Sequence, residues 1–179
     1  MEGWMNKRLT DMQLLRIKNG VMRILHVPGN YAGGILEMAI VVDYHVPKEE
    51  IREMSYQIAD ALKHQNETFR NVRLNLVKWI SDEQIIKEIS SLTSLQMGRG
   101  YDDHGQTESS KEKTLDELLR QLKLFYARSK IVIVLTDGSY QIKEEDKIEA
   151  YLNPFLRRKL LMIQPPAQEQ LSQVCYVEI

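Results

Sequence analysis

The chain has 179 residues, of which 43% are hydrophobic and 27% are charged. These proportions are typical of a globular protein and exclude a disordered, fibrous or membrane class, and the length fits one domain over residues 1–179. The formal net charge is −1, from 24 basic and 25 acidic residues, so nothing in the overall charge favours a nucleic acid or membrane partner.

The single cysteine, Cys175, excludes an internal disulfide and a zinc site built from several cysteines. It lies in the apolar run VCYVEI, which predicts a buried thiol rather than a nucleophile. The first residues lack the apolar stretch of a signal peptide, and no segment has the length of a membrane span. We therefore expect a soluble, cytoplasmic protein.

The first half of the chain contains three expected strands. Residues 1–30 are expected to form an N-terminal extension in which 21–27 is an edge strand or half of a hairpin, because Pro28-Gly29 follows. The apolar run 35–44 predicts a central strand, and Pro47 opens a helix that runs to about residue 64. Alternating apolar residues predict a strand over 71–80, and Ser81 is expected to cap a short helix after it.

The second half of the chain begins with a glycine-containing segment, 93–112, that predicts a long exposed loop. Thr114 is expected to cap a helix with an apolar stripe of Leu115, Leu118, Leu119, Leu122 and Phe125. Strands over 130–138, 159–163 and 174–179 then alternate with helices over 143–153 and 167–173. This alternation predicts an α/β fold with a doubly wound, mostly parallel sheet flanked by helices, a Rossmann-like three-layer arrangement.

Two carboxylates follow the most apolar strands of the predicted sheet. Asp43 ends the first central strand, and Asp137 follows the run from Ile131 to Leu135. Ligands of open parallel sheets bind at the C-terminal ends of the strands, so the two side chains would meet in one crevice, as a hard divalent cation requires. Each aspartate is alternatively an ordinary helix N-cap.

The pair has the context of a known metal-binding motif. Asp43 begins the stretch Asp-Tyr-His-Val-Pro, Thr107 lies 64 residues later in the segment HGQTE, and Asp137 lies a further 30 residues on in Thr-Asp-Gly. Residues 35–179 thus resemble a von Willebrand factor type A domain, in which a DxSxS motif, a threonine and a later aspartate form a metal-ion-dependent adhesion site. The resemblance implies a binding module whose bound cation is completed by a carboxylate of a partner protein.

The motif departs from the family pattern at both serines of DxSxS, which are replaced by His45 and Pro47. A histidine nitrogen in place of a hydroxyl would move the metal preference from Mg²⁺ toward Mn²⁺ or Zn²⁺. The predicted divalent cation site therefore consists of Asp43, His45, Thr107 and Asp137. Because two hydroxyl ligands are missing, the degenerate motif indicates weakened or lost metal dependence.

The function that follows is a non-enzymatic protein–protein interaction module that binds an unidentified protein at the C-terminal strand ends. The first alternative is a metal-dependent hydrolase or phosphotransfer enzyme that uses Asp43 as nucleophile or ligand and His45 as acid or base. That reaction needs a lysine or third carboxylate at the strand ends, which the sequence alone does not place. The second alternative is a structural interaction domain with a vacant site.

Overall fold

The computed structural model describes residues 8–64, 67–97, 112–153, 156, 158–166, 170–171 and 174–179. The strands are β1 (Leu36–Asp43), β2 (Val72–Trp79), β3 (Ile85–Ser90), β4 (Ile131–Leu135), β5 (Leu160–Gln164) and β6 (Cys175–Glu178). The helices are α1 (Asp11–Leu25), α2 (Lys48–Lys63), α3 (Leu92–Gln96), α4 (Leu115–Tyr126) and α5 (Glu145–Leu152), with a 3₁₀ turn at Glu67–Phe69.

The strands form one sheet in the order β3-β2-β1-β4-β5-β6. Every neighbouring pair is parallel except β2 and β3, which are antiparallel, so the predicted mostly parallel α/β sheet is confirmed. The chain leaves β1 toward β2 and later returns to place β4 on the other side of β1. This reversal makes the C-terminal ends of β1 and β4 the switch point at which ligands of such sheets bind.

The central strands are covered on both faces, which explains their nearly continuous apolar sequences. Met38, Ile40 and Val42 of β1 pack into the core beneath α1, α2 and α3. Ala39 and Val41 point the other way, into the core beneath α4 and α5. Because side chains alternate along a strand, this places the next residue on that face, Asp43, on the side of the sheet covered by α4 and α5.

The strands predicted over 35–44, 71–80, 130–138, 159–163 and 174–179 are confirmed as β1, β2, β4, β5 and β6. The helices predicted over 48–64 and 143–153 are confirmed as α2 and α5, and Thr114 caps α4 as expected. Phe125 was wrongly assigned to the buried stripe, since it is 61% exposed and Tyr126 is buried in its place. The Phe125 ring instead lies 4.1 Å from the ammonium of Lys87 on β3.

The N-terminal prediction was wrong, because residues 11–25 form helix α1 rather than an edge strand or hairpin. Thr10 and Gln13 form a reciprocal capping box that starts the helix. Ile17, Val21 and Ile24 then follow at helical spacing and are buried. Val21–Val27 resembles a strand because it is apolar and β-branched, yet burial of this helical face determines its structure.

The helix predicted after Ser81 is also wrong, because the chain turns back and forms the antiparallel strand β3. The backbone N–H groups of Ile80 and Ser81 both donate to the Gln84 carbonyl at 3.1 Å, which closes the turn. The alternation in IIKEIS then pairs with β2 at the sheet edge. Ser91, not Ser81, caps the short helix that follows.

Three further predictions fall at or near the limits of the described residues. The segment 93–112 begins as part of helix α3, and residues 98–111 lie outside the described part of the chain. Most of the helix predicted over 167–173 also lies outside it. Cys175 is half-buried, and burial raises the pKa of its thiol. Within the described ranges, no helix combines the length and apolar character needed to cross a bilayer.

Candidate functional site

The candidate site lies where β1 and β4 end side by side. Val42 of β1 pairs with Leu135 of β4, so Asp43 and Thr136 are the next residues along two adjacent parallel strands. Thr136 Oγ1 donates to Asp43 Oδ2 at 2.5 Å, and the Gly138 N–H donates to the same threonine oxygen at 3.0 Å. Thr136 therefore joins the end of β1 to the turn that carries Asp137.

Asp43 is completely buried and accepts from three different donors. Its Oδ2 accepts the Thr136 hydroxyl, and its Oδ1 accepts the His45 backbone N–H at 2.9 Å. The ammonium of Lys113 forms an ion pair with Oδ1. A buried carboxylate is stable only when paired and hydrogen-bonded, and these contacts meet that requirement within the protein itself.

The backbone around Lys113 is fixed from two sides. On one side, Asp82 in the turn between β2 and β3 accepts the Thr114 N–H at 2.7 Å and the Thr114 hydroxyl at 2.9 Å. On the other side, the Gln141 N–H donates to the Lys113 carbonyl at 3.0 Å, and the Leu115 N–H donates to the Gln141 carbonyl at 2.8 Å. Lys113 is thus held over the end of β1 by loops that follow β2 and β4.

Aromatic rings line the inner side of this ion pair. The Lys113 ammonium lies 4.8 Å from the Trp79 ring centroid, within the range of a cation–π contact. Trp79 packs against Tyr140 with ring centroids 5.6 Å apart, and the Tyr140 hydroxyl donates to Gln164 Oε1 at 2.8 Å. Burial raises the pKa of Tyr140 to about 12, with the nearby Tyr176 adding to the effect. The phenol therefore stays neutral at physiological pH.

The more exposed part of the site is a pair formed by His45 and Asp137. Nδ1 of His45 lies 2.5 Å from Asp137 Oδ2, and the side chains are 56% and 14% exposed, so solvent reaches the imidazole. The Ser139 N–H donates to Asp137 Oδ1 at 3.0 Å. Burial alone would raise the pKa of Asp137, but the hydrogen bonds from Ser139 and His45 outweigh it and hold this pKa below its usual value.

The structure brings three of the four predicted site residues together through His45. Its backbone N–H binds Asp43, and its ring binds Asp137. Neither aspartate is a helix N-cap, because Pro47 precedes α2 and Glu144 precedes α5, so that alternative is wrong. Instead, each carboxylate accepts the N–H two residues ahead, as in an Asx turn. The fourth residue, Thr107, lies outside the described residues.

The described residues do not fit a divalent cation at Asp43. Both carboxylate oxygens are already engaged, and one of them contacts an ammonium whose charge would repel a dication. A metal would also need several oxygen or nitrogen ligands. Among the residues that the structure describes, no three histidine, cysteine, aspartate or glutamate side chains form such a cluster.

Sequence reasoning missed Lys113 and the direct contact of Thr136 with Asp43. Thr136 could have been found, because it is the first residue after β4 on the same face as Asp43. Lys113 carries no comparable signal. It precedes the cap of α4, but its pairing depends on two loops that are distant in the sequence.

The arrangement combines a buried ion pair with a polar pair that is partly exposed to solvent. The carboxylate of Asp43 is buried and paired with Lys113, while His45 presents an exposed ring held by Asp137. Comparison with protein-family models and with curated proteins gives no match for this chain.

Proposed function

We propose that this protein is a non-enzymatic protein–protein interaction module of the von Willebrand type A kind. It binds its partner at the C-terminal ends of the strands and does so without a divalent cation. The observation that carries the proposal is the ion pair between Lys113 and Asp43, at the strand end where the resemblance implies a metal ion.

Electrostatic repulsion between like charges supports partner binding without a metal ion. Two unit charges 4 Å apart interact by about 4 kcal/mol at the effective dielectric near a protein surface, and a dication doubles this value. A cation at Asp43 would have to displace the Lys113 ammonium from a carboxylate that is fully buried. The loop contacts of Asp82 and Gln141 oppose that displacement because they fix the backbone on both sides of Lys113.

The composition of the exposed surface supports a protein partner. His45, Ser139 and Gln141 are exposed around the switch point, and an ion pair between Lys143 and Glu112 lies beside them with both side chains about half exposed. This surface mixes donors, acceptors and both signs of charge. Mixed polar surfaces suit the rim of a protein interface, whereas nucleic acid binding requires a predominantly basic face.

The strand order supports the family resemblance, but a type A domain has to be distinguished from a dinucleotide-binding fold. An order of 3-2-1-4-5-6 also occurs in dinucleotide-binding folds, where a glycine-rich turn after the first strand contacts phosphate. Here the turn after β1 is Asp43-Tyr44-His45-Val46-Pro47 and contains no glycine.

A metal-dependent hydrolase or phosphotransfer enzyme remains a second candidate, and one observation favours it. That hypothesis needs a lysine or a third carboxylate near the strand ends, and Lys113 is a lysine at this position. The complete burial of Asp43 opposes it, since a nucleophile must reach its substrate. Turnover of p-nitrophenyl phosphate by the wild type that is lost in Asp43→Asn would support the enzyme over the binding module.

The proposal is tested by affinity capture with the purified, immobilised chain. His45→Ala and Asp137→Ala remove the exposed pair, and Arg16→Gln alters an exposed residue on α1 as a matched control. We expect a partner that the wild type retains equally in EDTA and in Mg²⁺. Both site variants should retain it about tenfold less, because losing a hydrogen bond to a charged group costs about 1.5 kcal/mol or more and about 1.4 kcal/mol corresponds to tenfold in affinity.

Two results would count against the proposal. Elution of every specifically retained protein by EDTA would show that binding needs a metal. Equal retention by the wild type, His45→Ala and Asp137→Ala would show that any partner binds elsewhere on the molecule.

A further inference from the structure

A second candidate site lies at the opposite end of the sheet, where β4 and β5 begin. A pocket of about 160 Å³ is formed there by the turn Val27–Asn30 and by the residues that precede the two strands. Three of its lining residues are cationic: Lys130, Arg158 and Lys159. The pocket is separate from the proposed interaction surface, which lies at the C-terminal ends of β1 and β4.

The parallel pairing of β4 and β5 brings these charges together. Val132 pairs with Leu160, and the Val132 N–H donates to the Lys159 carbonyl at 2.9 Å, so the residues before each strand lie side by side. Burial and the neighbouring charge of Lys130 both lower the pKa of Lys159. The cluster therefore carries mutual repulsion that a bound anion would relieve.

Among the described residues, carbonyl and carboxylate groups neutralise only part of this positive charge. Lys159 donates to the carbonyl of Ala127 at the end of α4, which is a capping role. Lys130 and Arg158 form no ion pair with a carboxylate among the described residues. The backbone of Lys130 contacts Glu37, but the carboxylate of Glu37 is paired with Arg73 at 2.6 Å.

The wall of the pocket is fixed in place. The side-chain amide of Asn30 donates to the Ile24 carbonyl at 2.8 Å and to the Lys130 carbonyl at 3.0 Å, so it ties the turn to α1 and to the start of β4. Gly29 allows this turn because its φ is +84°, a conformation that side chains disfavour. The fixed turn thus forms one wall of an open pocket that three cationic residues also line.

We infer that this pocket binds a small phosphate-type anion through Lys130 and Arg158. Its volume corresponds to about five water molecules at roughly 30 Å³ each, enough for a tetrahedral oxyanion but below the range of drug-sized ligands. Lysine and arginine are the usual ligands of phosphate oxygens. The shared chemistry is a phosphate group, either free or as the monoester of a small molecule.

The test is a titration of the full chain, followed by ¹H–¹⁵N NMR at constant ionic strength. Inorganic phosphate should give saturable shifts at Gly29, Asn30 and Lys130. Lys130→Gln and Arg158→Gln should each weaken binding by about tenfold, whereas Arg16→Gln, which removes an exposed positive charge on α1, should leave it within about twofold. A parallel titration with glycerol phosphate distinguishes the sources, since tighter binding than phosphate identifies a monoester ligand.

Three results would overturn the inference. The first is a set of shifts that do not saturate or that sodium chloride reproduces. The second is an equal loss of affinity in Arg16→Gln. The third is unchanged affinity in Lys130→Gln and Arg158→Gln when both variants keep the wild-type spectrum elsewhere.

Discussion

The ammonium of Lys113 is paired with the buried carboxylate of Asp43 at the end of the central strand. Without this ion pair, the sheet would end on an uncompensated buried charge. In the function proposed above, Lys113 takes the electrostatic role of the metal ion that the type A resemblance implies. The more exposed part of the same site is formed by His45 and Asp137, and it is the surface that we propose binds the partner.

The ion pair should be strongly coupled in a double-mutant cycle. Asp43→Asn and Lys113→Met should each lower the free energy of unfolding by about 3–5 kcal/mol, because each leaves its partner buried without an opposite charge. The double variant should lose less than the sum of the two, by roughly 1–3 kcal/mol. Urea unfolding gives the free energy of unfolding of the wild type, the two single variants and the double variant. Additive losses would show that the two groups do not interact.

Protonation of Asp137 should lower the free energy of unfolding in acid. Its folded-state pKa lies below the usual value near 4, so its stabilising contribution is present above that value and is lost as the pH falls through the lowered pKa. His45→Gln should raise the pKa of Asp137, since a charge-assisted partner is removed. A ¹³C NMR titration of the carboxyl reports this pKa directly, and an unchanged value in His45→Gln would contradict the 2.5 Å contact.

Tyr140 should contribute to instability in alkali. Its folded-state pKa is about 12, above the ordinary value near 10, so the contribution is complete below pH 10 and is lost as the pH rises toward 12. Tyr140→Phe should therefore lose stability less steeply across this interval than the wild type. Tyr56→Phe, at a position that is 41% exposed, is the control and should follow the wild-type curve.

The packing of α1 against the sheet is testable at Gly20. A Cβ at this position would lie 3.3 Å from Leu161 Cδ1 and 3.5 Å from Cys175 Sγ, so there is no space for a large side chain. Gly20→Leu should destabilise the protein by about 1–3 kcal/mol through overpacking. Asn19→Leu adds the same side chain at an exposed neighbouring position and should have little effect on thermal unfolding.

The buried parallel strands were predictable because their sequences leave few alternatives. An apolar run such as Ile131–Leu135 requires cover on both faces, which a parallel sheet provides. The two errors in secondary structure arose where periodicity is ambiguous. Val21–Val27 suits a strand by composition, and Ser81 suits a helix cap, but helical burial and edge pairing determined the outcome.

The candidate site was predictable only where residues follow strand ends. Strand position alone placed Asp43 and Asp137 at neighbouring ends, and His45 now joins them. The partner of Asp43 could not be predicted from the sequence. Lys113 is positioned by hydrogen bonds with Asp82 and Gln141, which lie in loops that are distant in the sequence. The spacing of neighbouring residues does not predict contacts between distant loops.

Calorimetric titration of the wild type with Mg²⁺, Mn²⁺ and Zn²⁺, repeated on Asp43→Asn, tests most directly whether Lys113 neutralises Asp43 in place of a metal. Because the Lys113 ammonium is paired with the Asp43 carboxylate, we expect no saturable heat that depends on Asp43. Saturable binding of any of these ions to the wild type that disappears in Asp43→Asn would contradict this expectation.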